Sequence, residues 1–207
     1  MIKKTFYNLP KEKRQRIVDA IMKEFSSSST DKVSINRIIK AANISRGSFY
    51  QYFDDKVDLV DVLSKKFIDV TLEGARKALR NSNGDIFFMH KQMFEIISDF
   101  AQDEKQKSIL KNLFNNLRAN DDLVTEYMAN RFHGFAELQK IASYFNRDNL
   151  KYKDDYDVEC LSQILAQVLK NSVFDIFVMG EDINKVRESF LRKHDIIKSG
   201  AVSTMMR

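Results

Sequence analysis

The chain has few of the residues that interrupt helices: one proline and six glycines in 207 residues. A chain so short of breakers reads as almost entirely helical. Its single cysteine, Cys160, excludes an intramolecular disulfide and fits a reducing cytoplasm, where the protein is expected to work. No run of roughly eighteen or more apolar residues occurs, so no transmembrane helix or membrane partner is expected. The leading MIKKTFYNLPKEKRQR lacks the apolar centre of a signal peptide. The three histidines, His90, His133 and His194, are too scattered for a metal-ligand spacing, and Cys160 has no nearby second cysteine. There is no glycine-rich phosphate loop and no serine-nucleophile motif. No catalytic residue, metal or cofactor is expected.

What is present is ordinary for a soluble globular chain, with 43% hydrophobic and 30% charged residues and length for one large or two modest domains. The net charge of +5 is unevenly distributed. Residues 1–80 hold 17 Lys/Arg against 10 Asp/Glu (net +7), whereas 81–207 hold 17 against 19 (net −2). A basic first part is what phosphate binding by one domain requires; a solvated surface with chance clustering is the alternative.

The stretch Ser34–Lys56, SINRIIKAANISRGSFYQYFDDK, lies inside that basic part. Ser34 can cap the first-turn amides of a helix running to Ala42. Ile35, Ile38, Ile39 and Ala42 recur at the spacing of one buried helical face. Asn43 stands where a tight turn needs a left-handed residue. A second short helix begins near Ser45, with Phe49 and Phe53 stacked on its inner face. Arg46, Gly47, Ser48, Tyr50, Gln51 and Tyr52 are left outside. Two short helices so joined form a helix-turn-helix whose second helix can enter a major groove. Arg46, Gln51 and Asn36 carry the groups that read guanine and adenine edges. Ser34, Arg37, Ser48, Tyr50, Tyr52 and Lys56 are placed to hold phosphates, and Ser45 and Gly47 complete the expected DNA face.

Ile44–Lys56, ISRGSFYQYFDDK, resembles the recognition-helix signature of TetR-family transcriptional repressors, matching it at Ile44, Ser45, Gly47, Ser48, Phe49, Tyr50, Phe53 and Lys56. Asn43 departs from the usual glycine of the turn, and Ser26–Thr30 replaces a stretch that often carries one. The resemblance covers about the first quarter of the chain. It implies an all-α protein: a three-helix helix-turn-helix domain joined by a long helix to a helical ligand-binding and dimerisation domain. It further implies a homodimer, a double-stranded operator and a small-molecule inducer.

Taken in order, Pro10 starts a helix expected to reach Phe25, with Ile17, Val18, Ile21, Met22 and Phe25 as its stripe. Lys3, Lys4, Lys11, Lys13, Arg14 and Arg16 form either an exposed polar face or a flexible basic arm that touches phosphates. A long helix is expected from Lys56 to about Arg80. Asn81–Gly84 is the clearest break, which sets domains of 1–56 (with a connecting helix to 80) and 81–207. Further helices are expected at about 85–102, 104–118, 121–145, 156–180 and 182–199, with a loop at 146–155.

The last two helices carry apolar stripes and are expected to form an antiparallel hairpin that pairs with its symmetry mate. The interface residues expected there are Leu161, Leu165, Val168, Val186, Phe190, His194 and Ile197; packing into the monomer core is the alternative. The middle of the chain is rich in Phe, Tyr and Met, which line adaptable apolar pockets as well as cores. By the family likeness an apolar or amphipathic inducer would sit among them. The expected contacts are Phe88, Met89, His90, Met93, Phe114, Tyr127, Phe132, His133, Asn171, Phe174 and Asp175. A non-catalytic helical adaptor, or more remotely a helical enzyme, is the rival reading. An adaptor leaves unexplained why Arg46, Ser48, Tyr50 and Gln51 should be exposed beside a basic domain.

Overall fold

The structure, a computed structural model, describes residues 2–27, 33–119 and 141–203. They fall into two compact units, the described parts of 1–67 with 104–132, and of 68–103 with 133–207.

The first unit contains α1 (Lys4–Tyr7), α2 (Lys11–Ser27), α3 (Ile35–Ala42), α4 (Arg46–Tyr52), the opening of α5 (Val57–Asn81) and α7 (Glu104–Ala119). Ile17, Ile21 and Phe25 lie on one stripe of α2, and they, Ile38, Phe49, Phe53 and Leu59 are all at most 2% exposed. Burying each such side chain contributes about 1.5–3 kcal/mol, enough together to seat helices as short as α3 and α4. Ser34 caps α3 by accepting from the Arg37 amide at 3.4 Å, and Asn43 ends it in the left-handed region at φ 50°. The Phe49 and Phe53 rings meet at a tilt of 55° with centroids 5.2 Å apart, the neighbourhood their spacing predicts. Helix α1 is not legible in the sequence, and α7 packs on α2.

The second unit contains the rest of α5, α6 (Ile86–Gln102), a 3₁₀ turn at Ala142–Tyr144, α8 (Asp155–Phe174), a π-helical turn at Asp175–Met179 and α9 (Ile183–Ala201). Asp85, Asp154 and Asp182 cap α6, α8 and α9 with their carboxylates. Asn81–Gly84 breaks the chain as expected: Gly84 sits at φ +83°, and its carbonyl oxygen accepts from the Asn146 amide at 2.9 Å. A Cβ there would stand 2.6 Å from both Asn146 N and Tyr144 O, so only glycine fits. Phe94 of α6 stacks on Phe190 of α9 at 4.3 Å, and Arg187 grips Glu95 across the same pair of helices at 2.8 Å.

One expected helix, 156–180, instead passes into the π turn after Phe174; the Glu181 amide reaches Asp175 O, and Gly180 closes the turn at φ 71°. Most of the expected 121–145 helix lies outside the described residues. No helix among the described residues is long and apolar enough to cross a membrane.

Candidate nucleic-acid interface and effector cavity

Helix α4 is only two turns long, and its entry is locally fixed. Ser45 Oγ accepts from the Ser48 amide at 3.0 Å and donates to Ser48 Oγ at 2.9 Å. With Phe49 turned inward, Arg46, Gly47, Tyr50 and Gln51 are exposed, and Asn36 of α3 is exposed beside them. Arg46 Nη1 donates to Asn36 Oδ1 at 3.3 Å, and its guanidinium lies 5.8 Å from the centre of the Tyr50 ring. The two helices thereby hold three groups that can meet base edges and phosphates on one surface. An added Cβ at Gly47 would meet nothing nearer than Ser45 Oγ at 3.9 Å, so internal packing does not require glycine there.

Three expected phosphate contacts are differently employed. Tyr52 is 5% exposed and packs its ring on Phe53 and Phe6, which corrects the surface role expected of it; on a two-turn helix its position faces the core side. Arg37 is spent on Glu24, reaching both carboxylate oxygens at 2.7–3.0 Å, so its charge is already matched. Ser34 has its hydroxyl in the α3 cap and its amide on Glu24 Oε1 at 2.8 Å. Burial pushes the Glu24 carboxyl up, but the hydrogen bonds from Arg37 and Ser34, with the Arg37 and Lys56 charges, hold it below the usual carboxylate range. Lys56 is half-buried at the entry to α5.

The second unit contains a half-open cavity of about 340 Å³ between α6, α8 and the 143–147 loop. Ile86, Met89, His90 and Met93 form its α6 wall at i, i+3, i+4, i+7 spacing, and Val158, Leu165, Ala166 and Leu169 its α8 wall. Arg147, Asp155, Glu159 and Gln163 also line it, with Arg147 paired to Asp155 at 2.7 Å. His90 is 2% exposed, and its Nε2 donates to Leu165 O at 2.7 Å; a carbonyl only accepts, so Nε2 carries the proton. Burial, partly offset by that bond, lowers the His90 pKa to about 4, and Nδ1 has no hydrogen-bond partner among the described residues.

Of the expected ligand contacts, Met89, His90 and Met93 line this cavity. Phe88, one residue from Met89, points outward at 42% exposure because successive helical residues turn by about 100°. Asn171 and Phe174 are exposed, Asp175 lies in the π turn, and none of the three is a cavity wall. Phe114 belongs to α7 of the first unit. Tyr127, Phe132 and His133 lie outside the described residues. The α6 wall was legible as one helical face, whereas Phe145 and Arg147 come from a loop whose path no periodicity announces.

The expected dimer face needs correction. Leu165, Val186, Phe190 and His194 are buried within the chain. Phe190 lies against Phe94 and His90, and His194 Nε2 is 3.1 Å from Phe87 O, so these side chains hold α8 and α9 to α6. Leu161, Val168 and Ile197 remain half-buried, and Ile164, Phe174 and Ile196 are exposed aliphatic or phenyl side chains on α8 and α9, with Tyr156 of α8 more exposed still.

Comparison with known proteins bears on both sites. Residues 17–63 match the family described as bacterial regulatory proteins, tetR family, and residues 85–201 match the tetracyclin repressor-like C-terminal domain. An HTH-type transcriptional regulator of Staphylococcus aureus (strain MRSA252) is 26% identical over 174 residues, covering 84% of this chain and 86% of its own. A TetR-family regulator from Chloroflexus aurantiacus J-10-FL is 25% identical over 99% of this chain and 100% of its own, with a TM-score of 0.52. The SmeT–triclosan complex, 15% identical, shares the fold at a TM-score of 0.65 over 94% of each chain. With an α3–α4 pair that presents Arg46 beside Asn36, and family matches over both parts of the chain, the protein belongs to the TetR family of DNA-binding transcriptional regulators.

Proposed function

We propose that the protein is a cytoplasmic homodimeric repressor, released from a near-palindromic operator when a small apolar or amphipathic molecule fills the α6–α8 cavity. The observation that carries the DNA-reading part is the Arg46 guanidinium, held by Asn36 at 3.3 Å on an exposed helix face. An arginine so held meets guanine O6 and N7 with little further loss of side-chain freedom. Gln51 would read a neighbouring adenine, while Ser48, Tyr50 and Lys56 hold phosphates. Two such helices in a dimer would stand about one DNA turn, roughly 34 Å, apart.

The cavity supports an inducer with an apolar body for Ile86, Met89, Met93 and Leu169 and a polar end at Arg147, Asp155 and Glu159. Its volume is at the small end of the range for ligand pockets, about 300–1,000 Å³. Coupling between inducer and operator is reciprocal, so DNA must weaken inducer binding by the factor by which inducer weakens DNA binding. The dimer face is read from Ile164, Phe174 and Ile196 together with Leu161, Val168 and Ile197.

Fluorescence anisotropy against DNA from upstream of the protein's own gene, with a scrambled duplex as control, tests the reading. A preference of at least about a thousandfold for the upstream duplex is expected. Equal, weak binding to this duplex and to any enriched from a random library defeats it.

A further inference from the structure

We infer that the segment Lys3–Phe6 is a positioning element for the recognition helix: Lys3 and Thr5 hold the carbonyls of the last turn of α4, and so set where Tyr50 and Gln51 are presented. The inference rests on the DNA reading above, and these residues lie ahead of the stretch that matches the family, which begins at residue 17.

A seven-residue helix is far below the roughly 12–15 residues at which helices persist unaided in water. Its first turn is capped by Ser45, but at the other end Phe53 leaves the helix in extended conformation, at φ −132° and ψ 144°. The carbonyls of Tyr50, Gln51 and Tyr52 therefore receive no amide from a following turn. The leading segment meets all three. Lys3 Nζ donates to Tyr50 O at 2.7 Å, Thr5 Oγ1 donates to Gln51 O, and the Lys3 amide donates to Tyr52 O at 3.0 Å.

Two further contacts keep the segment in place. Phe6 is 3% exposed, with its ring 5.0 Å from Phe53 and 6.3 Å from Tyr52. Lys3 Nζ also pairs with Asp54 Oδ1 at 2.7 Å, and that hydrogen bond holds the Asp54 carboxyl below its usual range. A cation at a helix C-terminus opposes the negative end of the helix dipole. With its charge matched by Asp54 and two of its three donors on Tyr50 O and Asp54, Lys3 is placed to serve the helix. Where the sequence left a solvated polar face and a flexible basic arm both open, Lys3 is a docked strut.

The test uses the full chain and the Lys3→Met variant, which keeps the aliphatic stem and removes the ammonium. Hydrogen exchange of the DNA-free protein is read at the Phe53 amide, which closes α4 on Phe49 O at 2.9 Å. Affinity is read by anisotropy on a duplex enriched from a random library by the wild type, and on a random duplex, at several salt concentrations. Faster exchange at Phe53, about tenfold weaker binding to the enriched duplex, unchanged binding to random DNA and an unchanged salt slope are expected. Thr5→Val should move exchange and selective affinity the same way, and Lys3→Arg should recover part of the loss. Equal losses on both duplexes with a slope smaller by about one would make Lys3 a phosphate contact and overturn the inference. Unchanged exchange would overturn it as well. If the wild type enriches no duplex, the DNA reading fails on its own, while the exchange experiment still decides whether the segment orders α4.

Discussion

The two units treat their polar side chains in opposite ways. On α3 and α4, Asn36, Ser45, Arg46, Ser48 and Tyr50 lie at or near the surface, where Ser45 bonds Ser48 and Arg46 meets both Asn36 and the Tyr50 ring. On α6 and α9, His90 and His194 are turned inward, and each binds a backbone carbonyl of another helix: Leu165 O for His90 and Phe87 O for His194. Outward groups with local partners can exchange those partners for DNA without opening the core. Inward groups bonded to neighbouring backbone are tied to the packing of their unit. The first arrangement suits contact with a charged polymer and should answer to salt; His90, in the second, should answer to pH and to whatever fills the cavity.

The largest effect that would sharpen this contrast is expected in the second unit. Gly84→Ala would force a Cβ to within 2.6 Å of backbone atoms of Tyr144 and Asn146 at a positive φ. A loss of about 3 kcal/mol or more in urea unfolding is expected, because backbone, unlike a side-chain tip, cannot step aside. Stability within a few tenths of wild type would show that the two loops are not tied there.

His90 makes the pH contrast. Its folded pKa of about 4 lies below the usual value near 6.5, so between those limits the unfolded chain binds more protons. The neutral buried ring contributes fully above about pH 6.5, and stability then falls toward pH 4 by roughly 3 kcal/mol in all. Denaturant titrations of wild type and His90→Leu across that range should differ by about one proton in slope. Parallel curves would mean that the ring does not stay neutral in the fold. Glu24 in the first unit runs on a different window. Its carboxyl is held below 4.5, so its contribution is present above that value and is lost only as pH falls through the lower folded one.

Arg46→Ala should cost about 1–3 kcal/mol of operator affinity and relax preference at one base position, with stability unchanged. Equal losses on enriched and random duplexes in a binding titration would rule out base reading by Arg46. A small effect on the fold, of opposite sign to that at Gly84, is expected at Gly47. Gly47→Ala has room inside and should raise stability by up to about 1 kcal/mol through helix propensity. The same methyl faces the surface offered to DNA, so affinity should fall. A variant that is more stable and binds as well as wild type would move the DNA backbone away from that position.

Much of the first unit was legible because its pattern is short and punctuated. Ser34, Asn43 and Ser45 mark helix ends by their own hydrogen-bonding and conformational preferences, and Phe49 and Phe53 leave one choice of inner face. The long helices of the second unit carry stripes too broad to choose between core and partner, which is why Leu165, Val186, Phe190 and His194 looked suited to an interface. Within the DNA surface, Arg37 and Tyr52 were misjudged for another reason. What occupies each of them, Glu24 and Phe6, comes from a separate helix.

The sequence by itself determined most of the longer described helices, the turn at Asn43, the break at Gly84 and the outward face of α4 apart from Tyr52, since these follow from local periodicity, caps and backbone freedom. Only the tertiary structure decided which residues wall the cavity, that His90 stays neutral, and that Lys3 closes the end of α4. Those outcomes depend on groups far apart in the chain, and burial and hydrogen bonding between them exist only once the helices have packed.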